Sequence, residues 1–258
     1  MQLLILLIIG ILSISHAYIL KTNSLEPRII NGTDAKIGEF PYMVSLQSLH
    51  FNDHICAGSI ISSRYVLTAA HCVILQSRRN MKVVSGSLKI NEPKSIHYIE
   101  KIIFHKKVKY KSKSWENDIA LVRVIESFKT SKTIKPITLP KPKMIIKDNQ
   151  KAVISGWGPL KLGGSNSNNL QKANIFIVKQ SFCVNTYKKK NLTIYNSQLC
   201  AYDPKIQRGA CMGDAGGPLT INGVLVGIAS WGYNCAQTDY PSVYTRVTEY
   251  LSWIKANS

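Results

Sequence analysis

No two cysteines in this sequence are spaced as a CxxC pair, so the usual ligand pattern of a zinc cluster is missing. Past residue 12 no apolar run is long enough to cross a bilayer as a helix, which excludes a membrane span there. No internal repeat is visible, and 16 Gly with 10 Pro is ordinary, so repeat and low-complexity architectures are excluded as well. Acidic residues are scarce: 14 Asp and Glu stand against 33 Lys and Arg, a formal net charge of +19. Such an excess favours anionic surroundings, either as a soluble, solvated surface or as a binding face for polyanions.

At the start, Leu3 to Leu12 is apolar but too short to span a membrane, and Ser15-His16-Ala17 supplies a small-x-small cleavage pattern. It lacks the positively charged residues that usually precede such a run, but the pattern still reads as a signal peptide over residues 1–17 and a secreted, extracellular protein. A polar segment, 18–28, ends in Pro27-Arg28-Ile29-Ile30. Residues 1–28 hold Lys21 and Arg28 against Glu26, a net +1, which leaves +18 on residues 29–258. In an oxidising compartment Cys56, Cys72, Cys183, Cys200, Cys211 and Cys235 imply three disulfides, and the fifteen possible pairings stay open on sequence alone.

From residue 29 the chain reads as short β-branched or aromatic runs separated by turn residues: Tyr42–Leu46, Ser59–Thr68, Met81–Val84, Ile119–Val124, Ala152–Ser155, Ile175–Val178 and Val224–Ser230. That pattern predicts a sandwich or barrels. Helical periodicity is clear only near the end, where Val247, Tyr250, Leu251 and Ile254 share a face. Lys161–Asn169 predicts an exposed loop, and the stretch Thr130 to Lys143 a linker between two halves.

Three local patterns carry chemistry. Leu67-Thr68-Ala69-Ala70-His71-Cys72 sets a histidine beside a cysteine, and Asn117-Asp118-Ile119-Ala120-Leu121 puts an acid at the head of an apolar strand. Gly213-Asp214-Ala215-Gly216-Gly217-Pro218 allows a tight loop with outward amides. Each is weak alone, since a lone histidine is usually structural and a glycine cluster usually a turn. Together with Gly156-Trp157-Gly158 and Ser230-Trp231-Gly232, in this order, they make residues 29–258 resemble the chymotrypsin/trypsin family of serine proteases. The segment Tyr240–Tyr244 with Arg246 is similar to an insect chymotrypsin-like branch.

The resemblance implies an all-β protein of two antiparallel six-stranded Greek-key barrels, about 29–135 and 136–245, with a C-terminal α-helix over about 246–257. It implies disulfides 56–72, 183–200 and 211–235. It also implies a propeptide, 18–28, cut at Arg28-Ile29, after which the Ile29 amino group pairs with Asp214 and orders the oxyanion loop. His71 would be the base, Asp118 its orienter and Ser230 a support for Asp118, with the amides of Gly213 and residue 215 as the oxyanion hole. The substrate pocket would comprise Gly209, Ser230, Trp231, Gly232 and Ser242. No cofactor and no metal are implied.

The family pattern asks for a serine at 215, and alanine stands there. A methyl group cannot attack a carbonyl, so an inactive homologue that acts by binding is expected, an immune cofactor, decoy or venom component by analogy. Met212, in place of glutamine, and the intact leader fit a natural pseudoenzyme. The alternatives are an active digestive or venom endopeptidase in which Ala215 is an allele, error or engineered change, and a basic polyanion-binding protein. Gly209, in place of an acid, predicts a pocket for apolar or aromatic side chains, because a buried Lys or Arg would lack a counter-charge; Ser242 would narrow it. The sequons Asn31-Gly32-Thr33 and Asn191-Leu192-Thr193 are candidate glycosylation sites, Asn191 the better placed. Expected partners are proteins, protease substrates or inhibitors and heparin-like polyanions, with no specific nucleic acid, for a monomeric chain.

Overall fold

A computed structural model describes residues 29–109 and 112–258. The leader, the propeptide and Arg28 lie outside the described residues.

The first half is a closed barrel of six antiparallel strands: β2 (Met43–Ser48), β3 (His54–Ile60), β4 (Tyr65–Thr68), β5 (Met81–Ser85), β6 (Ser95–Phe104) and β7 (Ala120–Val124), joined in the order β2-β3-β4-β7-β6-β5. The second half comprises β8 (Lys151–Gly156), β9 (Gln171–Ile177), β10 (Gln198–Tyr202), β11 (Pro218–Ile221), β12 (Val224–Trp231) and β13 (Ser242–Arg246). It closes because β8 pairs with both β9 and β11, while the two-residue β1 (Thr33–Asp34) attaches outside to β9. The expected pair of six-stranded barrels is thus present. Closure leaves neither sheet with a long unpaired edge.

Each barrel buries β-branched and aliphatic side chains of its strands. Val44, Leu46, Val66, Leu67, Leu121 and Val122 are wholly buried in the first, and Ile175, Leu219 and Val226 in the second. The C-terminal helix α2 (Leu251–Asn257) follows a 3-10 turn at Val247–Tyr250, and Val247, Tyr250 and Ile254 bury against the first barrel's core. The expected apolar face is therefore the docking face.

Two expectations change. The run Ser59–Thr68 is not one strand; it breaks at residues 61–64 into β3 and β4, which pair with each other. A second helix, α1 (Gln180–Lys188), precedes α2. It buries only Cys183 and Tyr187, one helical turn apart, which is too little to mark a period in the sequence.

The disulfides are Cys56–Cys72, Cys183–Cys200 and Cys211–Cys235, the pairing the resemblance implied. They close loops of 16, 17 and 24 residues, each contributing on the order of 3 kcal/mol by restricting the unfolded chain. Among the described residues no helix is long and apolar enough to cross a membrane.

Candidate active site

Strand register brings His71 and Asp118 together. β4 and β7 pair so that Thr68 faces Ala120, which places the end of one strand beside the start of the other. His71 follows three residues past Thr68, in a 3-10 turn (Ala70–Cys72) tied to β3 by the Cys56–Cys72 bridge. Asp118 precedes Ala120 by two residues and is fully buried.

A buried carboxylate needs donors on all sides. Asp118 receives the His71 backbone amide at 2.9 Å, His71 Nδ1 at 2.7 Å and the Ser230 hydroxyl at 2.6 Å. Because an ionised carboxylate only accepts, Nδ1 carries the proton and Nε2 is left as a lone-pair base. Ser230 comes from β12, so the second barrel completes a cluster that the first began. Thr245 of β13 adds a hydrogen bond from its hydroxyl to the Asp118 carbonyl at 2.7 Å.

Residue 215 lies on the loop ahead of β11 and is anchored across the barrels: the Ala57 amide donates to its carbonyl at 2.8 Å. Around it the loop amides divide into two sets. Those of Asp214, Gly216 and Gly217 donate to Cys211, Ala229 and Asp214 carbonyls. The Gly213 and Ala215 amides have no acceptor among the described residues, and both residues line the cleft. Two such amides in one cleft can hold a developing negative charge.

The loop shape requires glycine at two places. Gly213 has φ +94°, and a Cβ there would fall 2.6 Å from Asn166 Oδ1. Gly216 has φ +78°, and its Cβ would fall 2.1 Å from Thr68 Oγ1.

His54, which the sequence reading passed over, holds this loop. Its Nε2 donates to the Gly213 carbonyl at 2.7 Å, and its Nδ1 accepts from the Ser45 hydroxyl at 2.8 Å. Burial holds the imidazole down at about 4, so it is neutral at physiological pH. No local motif marks His54, because its partners lie 9 and 159 residues away.

Asp214 is almost entirely buried and is held by the Cys211 and Gly158 amides at 3.0 and 2.8 Å. Burial pushes its carboxyl up to about 6, the two amides opposing the shift. No described cation pairs with it. Ile29 is wholly buried in the second barrel's core beside Tyr244 and Ala229.

The cleft has a volume of about 580 Å³, and His71, Gly213, Ala215, Ser230, Trp231, Gly232 and Ser242 all line it. No Asp or Glu is among its lining residues. Gly209 stands just behind the lining: a Cβ there would lie 3.3 Å from the Ala236 Cα and 3.7 Å from Ser242 Oγ, while Ala210 is the residue that faces the cavity. Trp115, also missed from sequence, covers His71 with ring centroids 5.2 Å apart. The sulfurs beside His71 are bonded to each other, so neither is a thiolate ligand.

Of the two sequons, Asn191 is exposed at φ +55°. Asn31 is exposed too, but its Nδ2 already donates to the Gln207 carbonyl at 2.7 Å.

The geometry has counterparts among known proteins. Residues 29–254 match the family described as Trypsin. The chain is 41% identical over 229 residues to Chymotrypsin-2 of Vespa crabro, covering 89% of this chain and 99% of that one. With Trypsin of Phaedon cochleariae it shares 35% identity over 255 residues, covering 97% and 96%. The solved structure of mouse neuropsin, a serine protease, superimposes with a TM-score of 0.79 at 30% identity, covering 87% of this chain and 97% of that one. A histidine–aspartate pair between two closed barrels, an amide-lined loop and these relatives lead to one conclusion: the chain belongs to the trypsin family.

Proposed function

We propose that this is a secreted family member that no longer hydrolyses peptide bonds and acts by binding protein partners, protease substrates or inhibitors in its cleft. The observation that carries the reading is a carbon-only side chain at 215 in a site otherwise equipped for acyl transfer. In such a site a hydroxyl attacks the scissile carbonyl, His71 Nε2 takes the proton, and Asp118 fixes the tautomer. The Gly213 and Ala215 amides stabilise the oxyanion, whatever side chain residue 215 carries. Without the oxygen no acyl-enzyme forms, and in a triad protease of another fold that loss costs roughly a million-fold in kcat.

What remains is a pocket that takes apolar or aromatic side chains. The absence of a lining carboxylate supports this, since a bound cation would lose several kcal/mol of hydration without a counter-charge. Cleavage at Arg28-Ile29 would free an ammonium to pair with Asp214, whose burial without a described cation leaves that charge uncompensated. The intactness of every other part favours one second reading, an active chymotrypsin-like endopeptidase in which Ala215 is an allele, error or engineered change.

The test that separates the two is treatment of the purified natural protein, cleaved after Arg28, with a fluorophosphonate probe and with peptide substrates. No label at residue 215 and no turnover are expected. Stoichiometric labelling on the 213–217 loop would overturn the proposal.

A further inference from the structure

Five acidic side chains are paired with basic ones among the described residues. Glu39 pairs with Lys172, Glu92 with Lys89, Glu100 with Arg64 and Arg123, Glu116 with Lys109 and Asp203 with Arg208. Those pairs take up only Lys89, Lys109 and Lys172 among the lysines, so most of the lysine excess is not neutralised in pairs. Two lysine-rich segments far apart in sequence meet in space. The connection between β6 and β7 carries Lys106, Lys107 and Lys113, and α1 ends in Lys188 and continues into Lys189; all are exposed.

Three contacts bring the segments together. The Thr193 amide donates to Ser114 Oγ at 3.0 Å, Gln198 Nε2 donates to the Ser114 carbonyl at 2.8 Å, and Lys109 Nζ lies 5.4 Å from the Tyr195 ring centre. On the other flank the His105 ring rests on Tyr250 and Trp253, at 5.6 and 5.7 Å, which adds the end of α2 and the exposed Lys255. Among the described residues none of these six lysines forms an ion pair. Gathering like charges is unfavourable in the free protein and becomes favourable only when an external polyanion meets them.

We propose that this stripe, from Lys255 through Lys106, Lys107 and Lys113 to Lys188 and Lys189, is a docking surface for a sulfated glycan. Its chemistry selects that polyanion over others. Lysine is a compact point charge suited to scattered sulfates, whereas nucleic-acid recognition draws on arginine forks and on open aromatic faces for base stacking. Among the described residues Arg246 is spent on the Asn196 and Gln198 carbonyls and the Gln180 side chain, and the rings of Tyr195, Tyr250 and Trp253 rest against Lys109 and His105. Lysine is also depleted at the cores of protein–protein interfaces. None of the six lysines lines the residue-215 cleft, so binding there does not require catalysis.

The test compares two variants with the same change in net charge. One is Lys107→Gln, Lys113→Gln, Lys189→Gln in the stripe. The other is Lys94→Gln, Lys132→Gln, Lys135→Gln, exposed residues near the far end of the ten-residue β6, roughly 30 Å away. Binding of a heparin oligosaccharide to the whole secreted chain is measured near physiological salt. The stripe variant should bind about a hundredfold more weakly, the control within about threefold of the natural protein, and binding should weaken steeply as salt rises. Equal losses in both variants, no loss in the stripe variant, or competition by a DNA oligonucleotide of equal charge as effective as heparin would each overturn the assignment.

Discussion

Asp214 shows how one residue can make the chain's stability depend on whether it has been cut. In the continuous chain the nitrogen of Ile29 is a peptide amide and carries no charge, and the Asp214 carboxyl is pushed from 3.8 up to about 6 by burial. Between those values the folded chain keeps a proton that the unfolded chain has released. Stability of the intact chain therefore falls as pH rises from about 4 to about 6, by on the order of 3 kcal/mol for this group. Under the proposed cleavage an ammonium at Ile29 would compensate the carboxylate, and that decline should then disappear. Urea unfolding of an uncuttable Arg28→Gln chain and of the cleaved protein, at pH 4.5 and pH 7, measures this. The advantage of the cleaved form should be larger at pH 7. An advantage that does not change with pH would show that Asp214 is not coupled to the new terminus. The candidate site residues His71, Asp118 and Ala215 were readable because short motifs surround them. His54 and Trp115 were not, since their parts in the site depend on partners distant in sequence.

Helix α1 shows the same limit at the level of elements. Strands announced themselves by β-branched runs, but α1 contains Val184 and Thr186 and buries only two side chains, so no helical period was visible. Its placement nonetheless matters to the cleft. The Tyr187 hydroxyl donates to the Pro241 carbonyl at 2.8 Å and accepts from the Tyr233 amide at 3.2 Å, and its ring packs 4.9 Å from that of Trp231. The helix thereby braces the two segments that flank the pocket. Tyr187→Phe keeps the ring and strands both backbone groups, so a loss of about 1–3 kcal/mol is expected in urea unfolding. An unchanged midpoint would mean that the hydroxyl braces nothing.

On the scale of the whole molecule, each barrel supplies half of a site that neither holds alone. His71 and Asp118 belong to the first, Ser230 and the 213–217 loop to the second, and the Ala57–Ala215 and Thr245–Asp118 hydrogen bonds keep the halves in register. The two-barrel architecture was legible from the resemblance and the spacing of strands, but the break between β3 and β4 was passed over: residues 59–68 were read as one β-branched run although Ser62-Ser63-Arg64 interrupts it. The seam between the barrels also explains why substitution at 215 need not disturb the fold. Residue 215 is half-buried and lines the cleft, and its backbone is fixed by neighbours rather than by its side chain. The most direct measurement is kcat/KM for the cleaved natural protein and for Ala215→Ser, side by side, on matched peptides ending in Phe, Leu, Lys and Arg. The account predicts no turnover by the natural protein, and turnover by the variant with Phe and Leu preferred over Lys and Arg. Cleavage by the natural protein, an inert variant, or faster cleavage after Arg would contradict it.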